Sequence, residues 1–514
     1  MEWSYYVYAG ALVLAFFVAL KISDFISVAR FQKKHGCKPA RPIPQRERII
    51  GYDLYKTQVK AHKEKRLLDL SRKRFADYGN TWSAAMMGRT FINTTEPENI
   101  KAILATNFKD FGIGKRINAF GPLLGQGIFT SDGALWEHSR ASPIHTFKAL
   151  VRPNFTRAQV ADLTTFETHI QHLIARIPRK GGTVDIQSLF FQLTMDSASE
   201  FLLGVSVNSL SSPEGSESNK FAASFDFAQS RLGNRSRLGI LVHIFRDAEF
   251  EKACKVVHEY VDGIVDGALK RAKALDLEKN IDGKERAERY IFLDELVKAT
   301  RNPKQIRDEL LNVFLAGRDT TASLLSHSFH VLARRQDIWK KLKAEVDELN
   351  GAKPTYETLR NMKYLKNFLN EALRLYPIVP GNARFANKAT VLPTGGGPQG
   401  KDPLFVAKDQ VVAYSVYSMH RMPSIYGPDA DEFKPERWDS PSLRPGWGYL
   451  PFNGGPRICV GQQFALTEAS YTIVRIMQEF GYIVPRDNNP WREQLSLTLS
   501  VADGVKVTLV PRQN

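Results

Sequence analysis

Hydrophobic and polar positions follow three different rhythms along this chain. From Trp3 to Leu20, 18 consecutive residues carry no charge, bounded by Glu2 and Lys21. As a helix this run spans about 27 Å, close to the hydrocarbon thickness of a bilayer. Trp3, Tyr5, Tyr6 and Tyr8 gather at one end, where an interfacial belt belongs. Pro42 and Pro44 then interrupt regular structure, because proline fixes φ and lacks the N–H. Beyond them helical spacing dominates. Leu310, Leu311, Phe314, Leu315, Leu324, Leu325 and Phe329 predict one long apolar helix, and Leu365, Phe368, Leu369 and Leu373 another. Thr81–Met86 and residues 504–510 alternate as strands do, and Gly395-Gly-Gly-Pro398 marks a turn. No internal repeat and no clean linker divides the body. The pattern predicts a mainly α protein with small β-sheets, in one large domain. Residues 1–21 read as a transmembrane anchor, 22–64 as a basic, proline-containing linker and approach, and 65–514 as the catalytic body. The Ser/Gly-rich stretch 210–219 and the charged stretch 278–289 read as variable segments.

Composition narrows the class. Across 514 residues, 43% are hydrophobic and 24% charged, which is globular usage and excludes a disordered chain. The formal charge of +17 is unevenly spread: between Lys21 and Arg66 there are 13 Lys and Arg against 4 Asp and Glu. No nucleic-acid-binding fold accompanies this cluster, so no nucleic-acid partner is expected. Its place after the apolar run makes it a membrane flank. Positive charge on that side alone puts the body in the cytoplasm, and the absence of a basic stretch before the run argues against a cleaved signal peptide. The sequons at Asn93, Asn154 and Asn234 are then expected to stay unmodified. Three widely spaced cysteines, Cys37, Cys254 and Cys459, exclude a disulfide scaffold and any CxxC motif.

One of the three stands in a chemical setting. Phe452-Asn-Gly-Gly455-Pro-Arg457-Ile-Cys459-Val-Gly461 is a glycine-punctuated loop that presents one sulfur just before a helical pattern. A helix N-terminus favours thiolate over thiol, Gly455 and Gly461 permit turns that a Cβ would block, and Arg457 offers a cation to a carboxylate. Cys37 and Cys254 lack such a setting and read as inert. Inside the first long helix, Asp319 and Thr320 form an acid–alcohol pair suited to proton handling, one turn after the small residues Ala316 and Gly317. Read alone, such a helical pair is a local side-chain-to-backbone arrangement. Glu371 and Arg374 oppose charges at i and i+3 on the second helix.

Taken together these segments resemble the cytochrome P450 family: the FxxGxRxCxG loop, the Ala316–Thr321 segment, Glu371-Ala-Leu-Arg374, Pro435-Glu-Arg437 and Trp136-Glu-His-Ser-Arg140 match its motifs, and the resemblance covers about residues 40–512. It implies that Cys459 is the axial ligand of a haem iron. It implies that Phe452, Gly461, Ala316 and Gly317 adjoin the haem, and that Trp136, Arg140, Arg384 and Arg457 hold its propionates. Glu371, Arg374 and Arg437 would form a structural triad, while Asp319 and Thr320 would deliver protons to dioxygen. Ala316 carries no carboxylate for an ester link, so haem b is expected to be non-covalent. The implied activity is a monooxygenase drawing electrons from NADPH through a flavoprotein, NADPH–cytochrome P450 reductase, at the endoplasmic reticulum membrane.

The segments after Ile378, Thr390 and Trp447 resemble fungal hydroxylases of n-alkanes and fatty acids, acting at the chain end. Some relatives tailor secondary metabolites instead, and that alternative stays open. A haem-thiolate isomerase typically loses the acid–alcohol pair, which is present here. A membrane-tethered binding protein would leave the motifs unexplained. The resemblance places Phe120, Asn312, Val379 and Leu497 against the substrate. One departure bears on Arg140: residues 142–148 form an extra stretch that either loops out or derives from a retained intron.

Overall fold

The computed structural model describes residues 2–47, 49–140, 163–213, 215–238, 242, 244, 246–282 and 291–512. The first helix, Glu2–His35, runs well past the apolar stretch, since neither proline nor glycine occurs between Lys21 and Gly36, whose φ is 64°. Its portion Gly10–His35 is long and apolar enough to cross a membrane and is unburied. At its far end Phe31 packs edge-on against Phe405, and the Lys38 N–H donates to the Pro403 carbonyl at 2.8 Å.

Residues 22–64, expected as linker and approach, are built largely into other elements. Up to His35 they continue the first helix. Arg41–Pro42 then pairs in parallel with Trp82 and Ser83, and Gln45 Nε2 donates to the Ala85 carbonyl at 2.6 Å. Proline tolerates this position because it lies on the edge of the sheet. Helix Tyr52–Lys63 follows, and its Leu54 joins a small core with Ile43, Phe75, Trp82 and Ala84. The sheet that receives these residues has six strands, in the order Arg41–Pro42, Thr81–Met86, Arg89–Thr94, Val411–Ser415, Gly381–Ala386, Phe111–Gly112. Its first hairpin turns through Met87 and Gly88, both with positive φ, which matches the right-handed twist of the strands. Residues 210–219, read as variable, are held at both ends: the Asp196 carboxylate accepts from the Leu210 N–H, and the Asn219 amide donates to the Ser212 and Pro213 carbonyls.

The long apolar pattern folds as helix Pro303–Arg334, capped by the Asn302 side chain, which accepts from the Gln305 N–H, and started by proline at its first position. Nearly all of it is buried, with one large core around Leu324, Leu325 and Phe329 and another around Leu310, Leu311 and Phe314. It is apolar on several faces because it packs against Ile186–Leu203, Ala248–Asp282 and Gln462–Glu479 at once.

Helix Lys363–Leu375 ends before Pro377 and carries the buried charges. Arg374 Nε and Nη2 donate to the two Glu371 oxygens at 2.8 and 2.7 Å, and its remaining donors reach the carbonyls of His420, Ala430 and Glu432. Glu371 also accepts from Arg437, Trp438 and the Lys434 N–H, and both Glu371 and Arg374 are 0% exposed. Removing one partner leaves a buried charge without compensation. Glu371→Ala is expected to destabilise the protein by about 3–5 kcal/mol, read as a lowered urea midpoint, and Arg374→Lys fails similarly because an ammonium cannot fork.

Candidate functional site

The cysteine loop is shaped by contacts that its own sequence does not show. Gly455 has φ +65°, and a Cβ there would collide with the Leu104 carbonyl. Asn453 adopts φ 63° and accepts from the Tyr414 hydroxyl at 3.1 Å, while the Cys459 N–H donates to the Phe452 carbonyl at 2.9 Å. Phe452 packs against the core beneath, and Gly461 starts helix Gln462–Glu479. Cys459 is exposed and outside any disulfide, two residues from that helix start. Cys254 is buried, which pushes its thiol up to about 12, and this fits an inert residue.

Arg457 joins the loop to the preceding helix, Gly133–Arg140. Its guanidinium donates to Asp132 and to the Ser131 carbonyl and lies 4.3 Å from the Trp136 ring centroid. Arg384, on strand Gly381–Ala386, is buried and donates to Asn382 Oδ1 at 3.1 Å. Arg116 donates to the same oxygen at 3.3 Å. Burial, followed by the charges of Arg384 and Arg457, pulls the Arg116 guanidinium down to about 10. Three guanidinium groups thus repel one another, with Asp132 as the carboxylate in their midst. Such a cluster is a receptor for a dianion. Arg116 escaped the sequence analysis because a single arginine in a loop carries no pattern. The side chain of Arg140 and residues 142–148 lie outside the described residues.

Arg116 also lines a cavity of about 1600 Å³, together with Phe120, Ala316, Thr320, Val379 and Leu497. Gly317 turns away from it: a Cβ there would meet only Ala198 on helix Ile186–Leu203, so glycine serves helix packing rather than cavity space. Asn312, expected against substrate, does not line the cavity either. Its amide donates to the carbonyls of Leu124 and Asp308 and accepts from the Phe129 N–H, which fixes the loop that supplies Phe129 to the wall.

Asp319 and Thr320 are not hydrogen-bonded to each other. Thr320 Oγ1 donates to the Ala316 carbonyl at 2.8 Å. The Asp319 carboxylate accepts from Arg318 at 2.7 Å and from the Thr498 hydroxyl at 3.4 Å. Burial pushes the Asp319 carboxyl up, against the pull of Arg318. Arg318 in turn pairs with Asp226, whose side chain is half exposed. Thr498 lines the cavity and is a hydroxyl that motif reading passed over.

Residues 54–507 match the cytochrome P450 family. The chain belongs to that family. It is 45% identical to Cytochrome P450 52A13 of Debaryomyces hansenii, with 98% of this chain and 97% of the relative covered. It is 44% identical to Cytochrome P450 monooxygenase himC of Aspergillus japonicus, covering 97% and 90% respectively. A third relative, Cytochrome P450 monooxygenase fsdH of Fusarium heterosporum, is 43% identical over 97% of this chain and 88% of its own length. The chain is therefore a haem-dependent P450 monooxygenase, membrane-anchored through its first helix. The residues present suit the haem of this P450: an exposed cysteine at a helix start for the iron, and three clustered arginines against one carboxylate, Asp132, for two propionates. Gly455→Ala is expected to displace the loop from Leu104 and lower the haem retained per protein at least several-fold, measured as the Soret-to-protein absorbance ratio after purification.

Proposed function

We propose that this P450 binds haem b non-covalently and inserts one oxygen atom of O₂ into a C–H bond at the end of a long apolar substrate. The balance is RH + O₂ + NADPH + H⁺ → ROH + H₂O + NADP⁺. Electrons come from NADPH through a flavoprotein reductase, and the first helix with its basic flank holds the body on the cytoplasmic face of the endoplasmic reticulum. The observation that carries this reading is the convergence of Arg116, on the wall of a largely apolar cavity, with Arg384 and with Arg457 of the Cys459 loop.

Placement supports each role in this reading. Cys459 is the iron ligand, and thiolate-ligated haem supplies the activation of dioxygen. Arg116, Arg384 and Arg457 hold the propionates, with Trp136 stacked beneath Arg457. Ala316 presents only a methyl group to the cavity, which fits a haem without an ester link. Asp319 is kept buried beside the cavity by Arg318, and the Thr320 and Thr498 hydroxyls stand on the cavity wall, so protons can be held there and passed inward. Phe120, Val379 and Leu497 give an apolar wall that makes no demand for hydrogen bonds, as an alkyl chain requires.

Cys459→Ser is expected to abolish the thiolate-specific band of the reduced CO complex, because a neutral alcohol is a poor ligand at neutral pH. Retention of that band in the variant would overturn the assignment. Cys254→Ser keeps it.

A further inference from the structure

The cavity has a second wall, far in sequence from Ala316 and Thr320. Helix Leu67–Tyr78 and the hairpin from Thr81 to Thr94 contribute to it, through a separate small core that includes Phe75 and Trp82. Six cations line the cavity as a whole, Arg74, Arg89, Lys115, Arg116, Arg237 and Lys408, against one carboxylate, Asp409. Arg89, Lys115, Arg237 and Lys408 are exposed, so water solvates them, and Arg116 belongs to the propionate cluster.

Arg74 differs from all of these. It is 8% exposed, and no acceptor among the described residues lies within hydrogen-bonding distance of its guanidinium. It reaches this place from the buried side of its helix, next to Phe75. Burial pulls its guanidinium below the ordinary value, opposed only by Tyr78. On the same wall, the buried indole N–H of Trp82 also lacks an acceptor among the described residues. The Trp82 N–H is sealed from solvent, so Arg74 is the donor on this wall that an anion in the cavity can reach.

We propose that Arg74 anchors the carboxylate of a long-chain acid substrate, with the alkyl chain running through the cavity and the methyl end directed to Ala316 and Thr320. This deepens the terminal-oxidation reading and rests on it. A carboxylate accepts the guanidinium fork in two parallel hydrogen bonds, and the tail fills an apolar wall that binds by area. Anchoring the head away from the reacting end selects the chain terminus by orientation. An n-alkane would leave Arg74 without a partner, so acids are favoured over alkanes of equal length.

The test is spin-state titration of the haem-loaded, full-length protein with dodecanoate, methyl dodecanoate and dodecane. Wild type is expected to bind dodecanoate about tenfold more tightly than the methyl ester, the usual scale for one charge-assisted contact. Arg74→Leu erases this preference while ester binding and the reduced CO band stay as in wild type. Arg74→Lys restores part of it, and Arg89→Leu leaves it intact. An acid preference absent in wild type, or surviving Arg74→Leu, overturns the anchor alone. If none of the three ligands shifts the spin state of protein with a normal CO band, the long-chain reading falls and the anchor falls with it.

Discussion

A buried guanidinium is costly while its donors lack acceptors, and Arg374 meets that demand by drawing two distant segments onto its own helix. Glu371 takes two of its hydrogen bonds, and carbonyls of residues 420, 430 and 432 take the rest. The network then passes to the reactive loop. His420 Nδ1 donates to the Arg374 carbonyl at 3.0 Å, and its Nε2 accepts from the Leu450 N–H at 2.9 Å, two residues before Phe452. Burial, with Arg374 and Arg421 adding to it, holds this imidazole near 3, so it stays neutral and keeps one donor and one acceptor. A fully satisfied buried ion network contributes specificity of structure more than net stability. Here that specificity is the path of the chain into the cysteine loop.

The site itself is arranged against the protein's own stability. Arg116, Arg384 and Arg457 crowd together, and Arg74 is buried on another wall without a partner among the described residues. Desolvated like charges cost free energy that the single carboxylate Asp132 offsets only in part and that bound anions lower further. The electrostatics of this P450 are therefore written for a loaded state, with haem at one place and, by our inference, substrate at the other. Asp319 follows a different logic: burial pushes its carboxyl up, and the adjoining Arg318 offsets part of that push.

Local patterns were legible wherever one element carried the whole signal. The 3.6-residue period announced helices Pro303–Arg334 and Lys363–Leu375, and the glycine spacing announced the loop around Cys459. Residues 22–64 misled because charge and proline imply a linker, whereas pairing of Arg41–Pro42 with a strand forty residues later depends on partners that local pattern does not reveal. Asn312 misled in the opposite way. Its helical face agreed with a substrate contact, yet three backbone groups from residues 124, 129 and 308 consume its amide.

By itself the amino-acid order determined the membrane helix, the apolar helices and the glycine-punctuated cysteine loop, since each depends on periodicity or on neighbours within a few residues. Tertiary structure alone decided which charges meet. Arg116, Arg384 and Arg457 come from a loop, a strand and the cysteine loop, and Thr498 reaches Asp319 from a hairpin 179 residues away. A lone charged residue looks solvated in any sequence. Only the packing of other segments around it removes the water and makes its partner, or the lack of one, matter.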